Sequence, residues 1–129
     1  MARAIKEKCG LFGIWGPPNA AHLAYQLLCA QQHRGQESAG IVVSDGRRLR
    51  AHVGMGLAHD VFDESVLANL GGGAAIAHNR YSTTGSSRAA NAQPLLEEYI
   101  GGQVAVAHNG NLINAQLLRR GYEQRGHIF

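Results

Sequence analysis

Three groups of residues in this chain could do chemistry together: a cysteine near the start, an arginine followed by hydroxyls, and an asparagine–glycine pair near the end. Cys9 opens the stretch CGLFGIWG. If the eight residues ahead of it were removed, Cys9 would carry a free α-amine with a pKa of about 7.7–8.0, and one residue would supply both thiol nucleophile and base. The plainer reading stays open, since an unpaired cysteine between apolar neighbours often serves as a small core residue. Arg80 lies in HNRYSTTGSS, ahead of Ser82, Thr83 and Thr84. A two-pronged cation beside short hydroxyl donors suits a carboxylate, and the same run also describes a Ser-rich turn with a surface arginine. Asn109 and Gly110, in HNGN, offer a side-chain amide and a backbone N–H, the donors of an oxyanion hole, although Asn-Gly is ordinary turn chemistry too.

Other chemistries find less support. Cys29 sits between Leu28 and Ala30 in an apolar helical stretch and is read as core. The two cysteines form no CxxC pair, so neither a disulfide framework nor a zinc module is indicated. The histidines, among them His33, His78 and His108, fall in no HExxH or other ligand spacing, so no metal site is expected here. Gly71–Gly73 lack the Lys-Ser/Thr of a phosphate loop. The net charge is only +3 and its arginines are scattered, which does not make a nucleic-acid platform. No apolar run is long enough to span a membrane and the leader MARAIKEK has no apolar middle, so a reducing cytoplasm is the expected compartment.

The elements that must position these groups follow from pattern. CGLFGIW reads as a buried strand, and PPNAAHLAYQLLCAQQ as a turn and a helix with Leu23, Leu27 and Ala30 at helical spacing, ending by Gly35. SAGIVVSD and RRLRAHVG flank Asp45-Gly46, which predicts a tight antiparallel hairpin. DVFDESVLANL reads as helical, with Asp60 or Asp63 near its start. AAIAHNR and QVAVAHNG read as two short strands, and their shared His-Asn endings suggest similar chemistry. NLINAQLLRRGYEQRG reads as a helix capped by Asn114, with Gly121 weakening its second half by about 1 kcal/mol relative to alanine. Hairpins mixed with helices, without strict strand–helix–strand alternation, point to an α+β domain.

Four motifs in order, CGLFGIWG, QHRGQESAGI, AHNRYSTTG with NAQP, and AHNGNLINAQLLR, resemble the glutaminase domain of the class II, N-terminal-nucleophile glutamine amidotransferases. Within that class QHRGQESAG is similar to the branch that uses phosphoribosylpyrophosphate in purine synthesis, the alternatives being a glucosamine-6-phosphate synthase-like segment and a non-catalytic module of the same fold. The resemblance implies a four-layered αββα sandwich, here truncated. It implies Cys9 as nucleophile, Asn109 and Gly110 as oxyanion hole, Arg80 with Ser82, Thr83 and Thr84 as the glutamine carboxylate pocket, and Arg34 as a supporting residue. Residues 1–8 would be a leader removed to free Cys9, and residues 9–129 the first part of the domain.

The resemblance also implies that ammonia passes to phosphoribosylpyrophosphate in a second domain beyond this chain. Mg2+ there, and an iron–sulfur cluster in some members, would bind outside residues 1–129. A homo-oligomer is implied for the full-length enzyme, without nucleic-acid or membrane partners. The sequence departs from the family pattern at Ala77, Asn79 and Gly121, and ends at GHIF before the family's usual aspartate for the glutamine α-amine. The segment is therefore expected to be inactive alone and marginally stable, with open strand edges.

Overall fold

The computed structural model describes residues 9–81, 89–110 and 112–128. The expected leader and the hydroxyls Ser82, Thr83 and Thr84 lie outside them. Strands β1 (Gly10–Trp15), β2 (Ser38–Ser44), β3 (Leu49–Met55) and β4 (Ala74–Arg80) form an antiparallel sheet in the order β1-β4-β2-β3. β2 lies inside the sheet and is the most deeply buried strand, as its SAGIVV run requires.

Helix α1 (Ala20–Ala30) covers one face of this sheet. Its buried side chains are Ala20, Ala21, Ala24 and Leu28, against Ala39, Ile41, Val43, Ala75 and Ala77. The expected stripe of Leu23, Leu27 and Ala30 is displaced: Leu27 is 40% exposed. Cys29 is exposed as well, and is not core. The cause is close approach, since the sheet face beneath is largely alanine and selects the small side of the helix. β1 is likewise half-buried, with Phe12 and Ile14 packed on the core and Trp15 89% exposed, because α1 covers only one face.

The β2–β3 hairpin forms where Asp45-Gly46 predicts it, but over a four-residue loop. Only Gly46 takes a positive φ, while Asp45 Oδ1 accepts from the N–H groups of Arg47 and Arg48, both at 2.9 Å. DVFDESVLANL divides into α2 (Ala58–Val61) and α3 (Glu64–Asn69) around extended Phe62. Asp63 caps α3 by accepting from Val66 N at 2.8 Å.

A second sheet is the hairpin of β5 (Leu95–Tyr99) and β6 (Gly102–Val106). β5 escapes the sequence reading because LLEEY carries two glutamates and follows a proline. The hairpin stands across a cleft of about 520 Å³ from the sheet face opposite α1, between residues such as Trp15, Val42 and Ile76 and residues Val104 and Ala105. Helix α4 (Ala115–Gln124) starts after Asn114 and runs through Gly121, yet Asn114 makes no side-chain cap and no residue of α4 is buried. The result is a mixed α+β fold with α1 on one face of the larger sheet and a hairpin beyond the other. Among the described residues, no helix is long and apolar enough to cross a membrane.

Candidate active site

Cys9 immediately precedes β1, whose Gly10 pairs with Asn79 near the end of β4, so the antiparallel register brings it to Arg80 and within reach of the Tyr81 backbone. Tyr81 N donates to Cys9 Sγ at 3.2 Å, and the thiol faces Tyr81 O at 3.6 Å. Tyr81 was not singled out in the sequence, where its position after Arg80 is the only signal. The backbone carbonyl of Cys9 accepts from Asn109 Nδ2 at 2.7 Å and from Arg34 Nε at 3.4 Å. Chain segments separated by up to 100 residues thus converge on one residue.

Arg34 reaches Cys9 because its loop passes close to β4. A 3-10 turn, Gln32–Arg34, leads into Gly35, where an added Cβ would lie 2.7 Å from the backbone of Asn79 and Arg80. Gln32 braces that turn, donating to Gly35 O at 2.6 Å and accepting from Ala58 N at 2.7 Å.

Arg80 projects from the last position of β4. Its Nε pairs with Glu37 Oε2 at 3.1 Å, and its Nη1 donates to Asn91 O at 2.8 Å. Both partners of the ion pair are largely buried, at 14% and 12% side-chain exposure, so the guanidinium is held in a fixed orientation. Glu37 lies inside QHRGQESAG but carries no sequence signal of its own, because its partner is 43 residues away.

The His-Asn pairs on β4 and after β6 turn out not to be equivalent. Asn79 points toward α1 and donates to Leu28 O at 2.8 Å, a buried tie between strand and helix. His78 points to the opposite face, fully buried, with Nε2 3.0 Å from Asn109 Oδ1. Burial holds His78 below the ordinary histidine pKa of 6.5, outweighing the hydrogen bonds with Asn109 and the His108 backbone that act upward, with charge repulsion from His108 and Arg80 adding to the lowering. Gln93 Oε1 accepts from His108 N at 2.7 Å, so the loop bearing Asn109 and Gly110 is anchored on both sides. Gln93 can lie there because Gly40, facing His78 in the β2–β4 register, lacks a side chain; a Cβ would collide with the Gln93 carbonyl. Among the described residues, no three His, Cys, Asp or Glu side chains come together to hold a metal ion.

A partly exposed thiol, a side-chain amide and an oriented guanidinium at adjacent strand ends are the kinds of group that amide hydrolysis through a thioester requires. Residues 65–125 match the family model described as glutamine amidotransferases class-II. The chain carries a class II glutamine amidotransferase segment. Its named relatives include amidophosphoribosyltransferases from Bacillus subtilis, 47% identical over 98% of the chain, and Synechococcus elongatus, 52% identical over 95% of it. The chain spans 27% and 25% of those two relatives. Among solved structures it is similar to the glutamine phosphoribosylpyrophosphate amidotransferase from B. subtilis, in complex with ADP and GMP, with a TM-score of 0.80 and 46% identity over 92% of this chain and 26% of that one. A structure described as the allosteric regulatory enzyme of purine biosynthesis matches with a TM-score of 0.86 and 48% identity, over the same shares.

Proposed function

We propose that the chain is the first part of the glutaminase domain of an amidophosphoribosyltransferase, with residues 1–8 a leader and Cys9 the mature N-terminus. The complete domain in this reading is a four-layered αββα sandwich. The observation that carries the proposal is the convergence of Asn109 and Arg34 on Cys9, in a chain about half identical to such enzymes.

In this mechanism the freed α-amine of Cys9 takes the thiol proton, and Sγ attacks the side-chain carbonyl carbon of glutamine. The carbonyl oxygen becomes an oxyanion, received by Asn109 Nδ2 and Gly110 N–H. The amide nitrogen has two protons, so its bond to the Cys9 carbonyl leaves one for this purpose. The C–N bond then breaks, the amine returns a proton to the leaving nitrogen, and ammonia departs, leaving a γ-glutamyl thioester that water hydrolyses to glutamate. Arg80, oriented by Glu37, grips the glutamine α-carboxylate, with Ser82, Thr83 and Thr84 at the same end.

Ammonia would next displace pyrophosphate from phosphoribosylpyrophosphate in a further domain, giving phosphoribosylamine. Mg2+ for that chemistry, and an iron–sulfur cluster where the enzyme has one, belong outside residues 1–129, and the cytoplasm is the compartment.

The test is intact-mass analysis and glutaminase assay of the full-length enzyme and its Cys9→Ala form. Loss of Met1–Lys8, ammonia release by the native enzyme and none by Cys9→Ala are expected. Ammonia release undiminished in Cys9→Ala would overturn the assignment, and full activity with the leader retained would overturn the amine as base.

A further inference from the structure

We propose that His78 is the positioning residue of the oxyanion hole: its Nε2–H holds Asn109 Oδ1, so that the amide nitrogen must face the Cys9 end of the site. The inference rests on the glutaminase reading above and assigns a task to a residue with no role there.

The orientation of the Asn109 amide follows from hydrogen bonding alone. The Cys9 carbonyl can only accept, so the group 2.7 Å from it must be the NH2. The oxygen then faces His78, 3.0 Å away, and requires a donor from Nε2. The other ring nitrogen, Nδ1, has no hydrogen-bond partner among the described residues. A neutral imidazole carries one ring proton, and stranding it on a buried, unpartnered Nδ1 would cost about 1–3 kcal/mol, so it resides on Nε2. Burial lowers the ring's affinity for a second proton and outweighs the interactions with Asn109 and the His108 backbone that favour one, while the nearby charges of His108 and Arg80 add to the lowering. One tautomer of one histidine therefore locks, from the oxygen side, the amide orientation that the Cys9 carbonyl requires from the nitrogen side.

The alternatives explain less. A core-filling side chain at position 78 would pack as well without burying a polar ring, and Asn109 held by the Cys9 carbonyl alone could break that one bond and turn its oxygen toward the developing oxyanion, where it repels instead of stabilising. His78 is rigid enough to prevent this: it sits in mid-sheet between β1 and β2, paired with Leu11 and Gly40. Gln93 holds the backbone of the neighbouring residue His108, so one buried side chain fixes the loop and another fixes the amide.

The test compares full-length wild type, His78→Leu, His78→Gln, Asn109→Ala and the double variant His78→Leu/Asn109→Ala by glutaminase kcat and KM. His78→Leu should lower kcat about 10- to 100-fold with KM little changed, less than the about 10²–10³-fold expected for losing an oxyanion donor itself. His78→Gln, whose amide N–H can replace Nε2–H, should recover most of that loss. In the Asn109→Ala background, His78→Leu should cost nothing further, because the two act as one unit. Additive losses, a Gln variant no better than Leu, or a loss confined to KM would overturn the proposal. A separate readout is the 15N spectrum of the histidine-labelled enzyme at neutral pH. It should show His78 as the Nε2–H tautomer, shifted in Asn109→Ala; an Nδ1–H tautomer or a charged ring would overturn the proposal whatever the activity. Wild type that releases no ammonia from glutamine, with the Nε2–H tautomer present, would instead sink the glutaminase reading alone.

Discussion

At Cys9 the carbonyl, and not only the thiol, organises the site, because Asn109 and Arg34 both anchor to it. Truncating Asn109 to alanine therefore removes a loop anchor together with the proposed oxyanion donor. Glutaminase kcat should fall about 10²–10³-fold, measurable by ammonia release at saturating glutamine. His78 makes a second prediction, for stability against pH. Its folded pKa lies below the ordinary 6.5, so the unfolded chain takes up the proton first. The stabilisation from keeping the ring neutral is fully present above 6.5 and is lost as pH falls through the folded value. Urea midpoints should drop over that window, and His78→Gln should remove this part of the dependence. Cys9, Arg80, Asn109 and Gly110 could be nominated from the sequence because their residue types carry chemistry and they fall within motifs that resemble the family's. His78, Glu37 and Tyr81 were not given roles, because each acts through a partner that only folding brings near.

Among the elements, β2 and β4 do most of the positioning. Gly40 on β2 lets the chain at Gln93–Pro94 cross the sheet at backbone distance, and that crossing holds the Asn109 loop. Gly40→Ala puts a methyl into the Gln93 carbonyl and should cost about 1–3 kcal/mol, read as a lower urea midpoint, with a parallel loss of glutaminase kcat. Most helices and strands were readable from periodicity and turn residues, including the hairpin at Asp45-Gly46 and a helix starting near Asp63, one of the two starts the sequence offered. The misses share a cause. Which face of α1 is buried depends on the alanine-lined sheet beneath it, and β5 forms because β6 pairs with it despite Glu97 and Glu98. Asn79, a departure from the family pattern, earns its place by tying β4 to α1.

Over the whole molecule, one sheet face is sealed by α1 while the other opens on a cleft and exposes Trp15, and α4 with the turn before it leaves Ile113, Leu117 and Leu118 exposed. Apolar surface of this kind favours association. As the single tryptophan, Trp15 reports on it. In the isolated 129-residue chain its fluorescence should be that of a solvated indole, open to acrylamide quenching; in the full-length enzyme proposed above it should be blue-shifted and protected. Emission already shielded in the isolated chain would show that copies of the chain cover this face themselves. The pattern of strands and helices was enough to place the chain in the α+β class, and the resemblance of four ordered motifs to class II amidotransferases was enough to nominate its reactive groups, since nucleophiles, cations and amides declare their chemistry locally. Folding decided which carbonyl Asn109 binds, which tautomer His78 must hold and what orients Arg80, because hydrogen bonds act over about 3 Å between residues far apart in the chain.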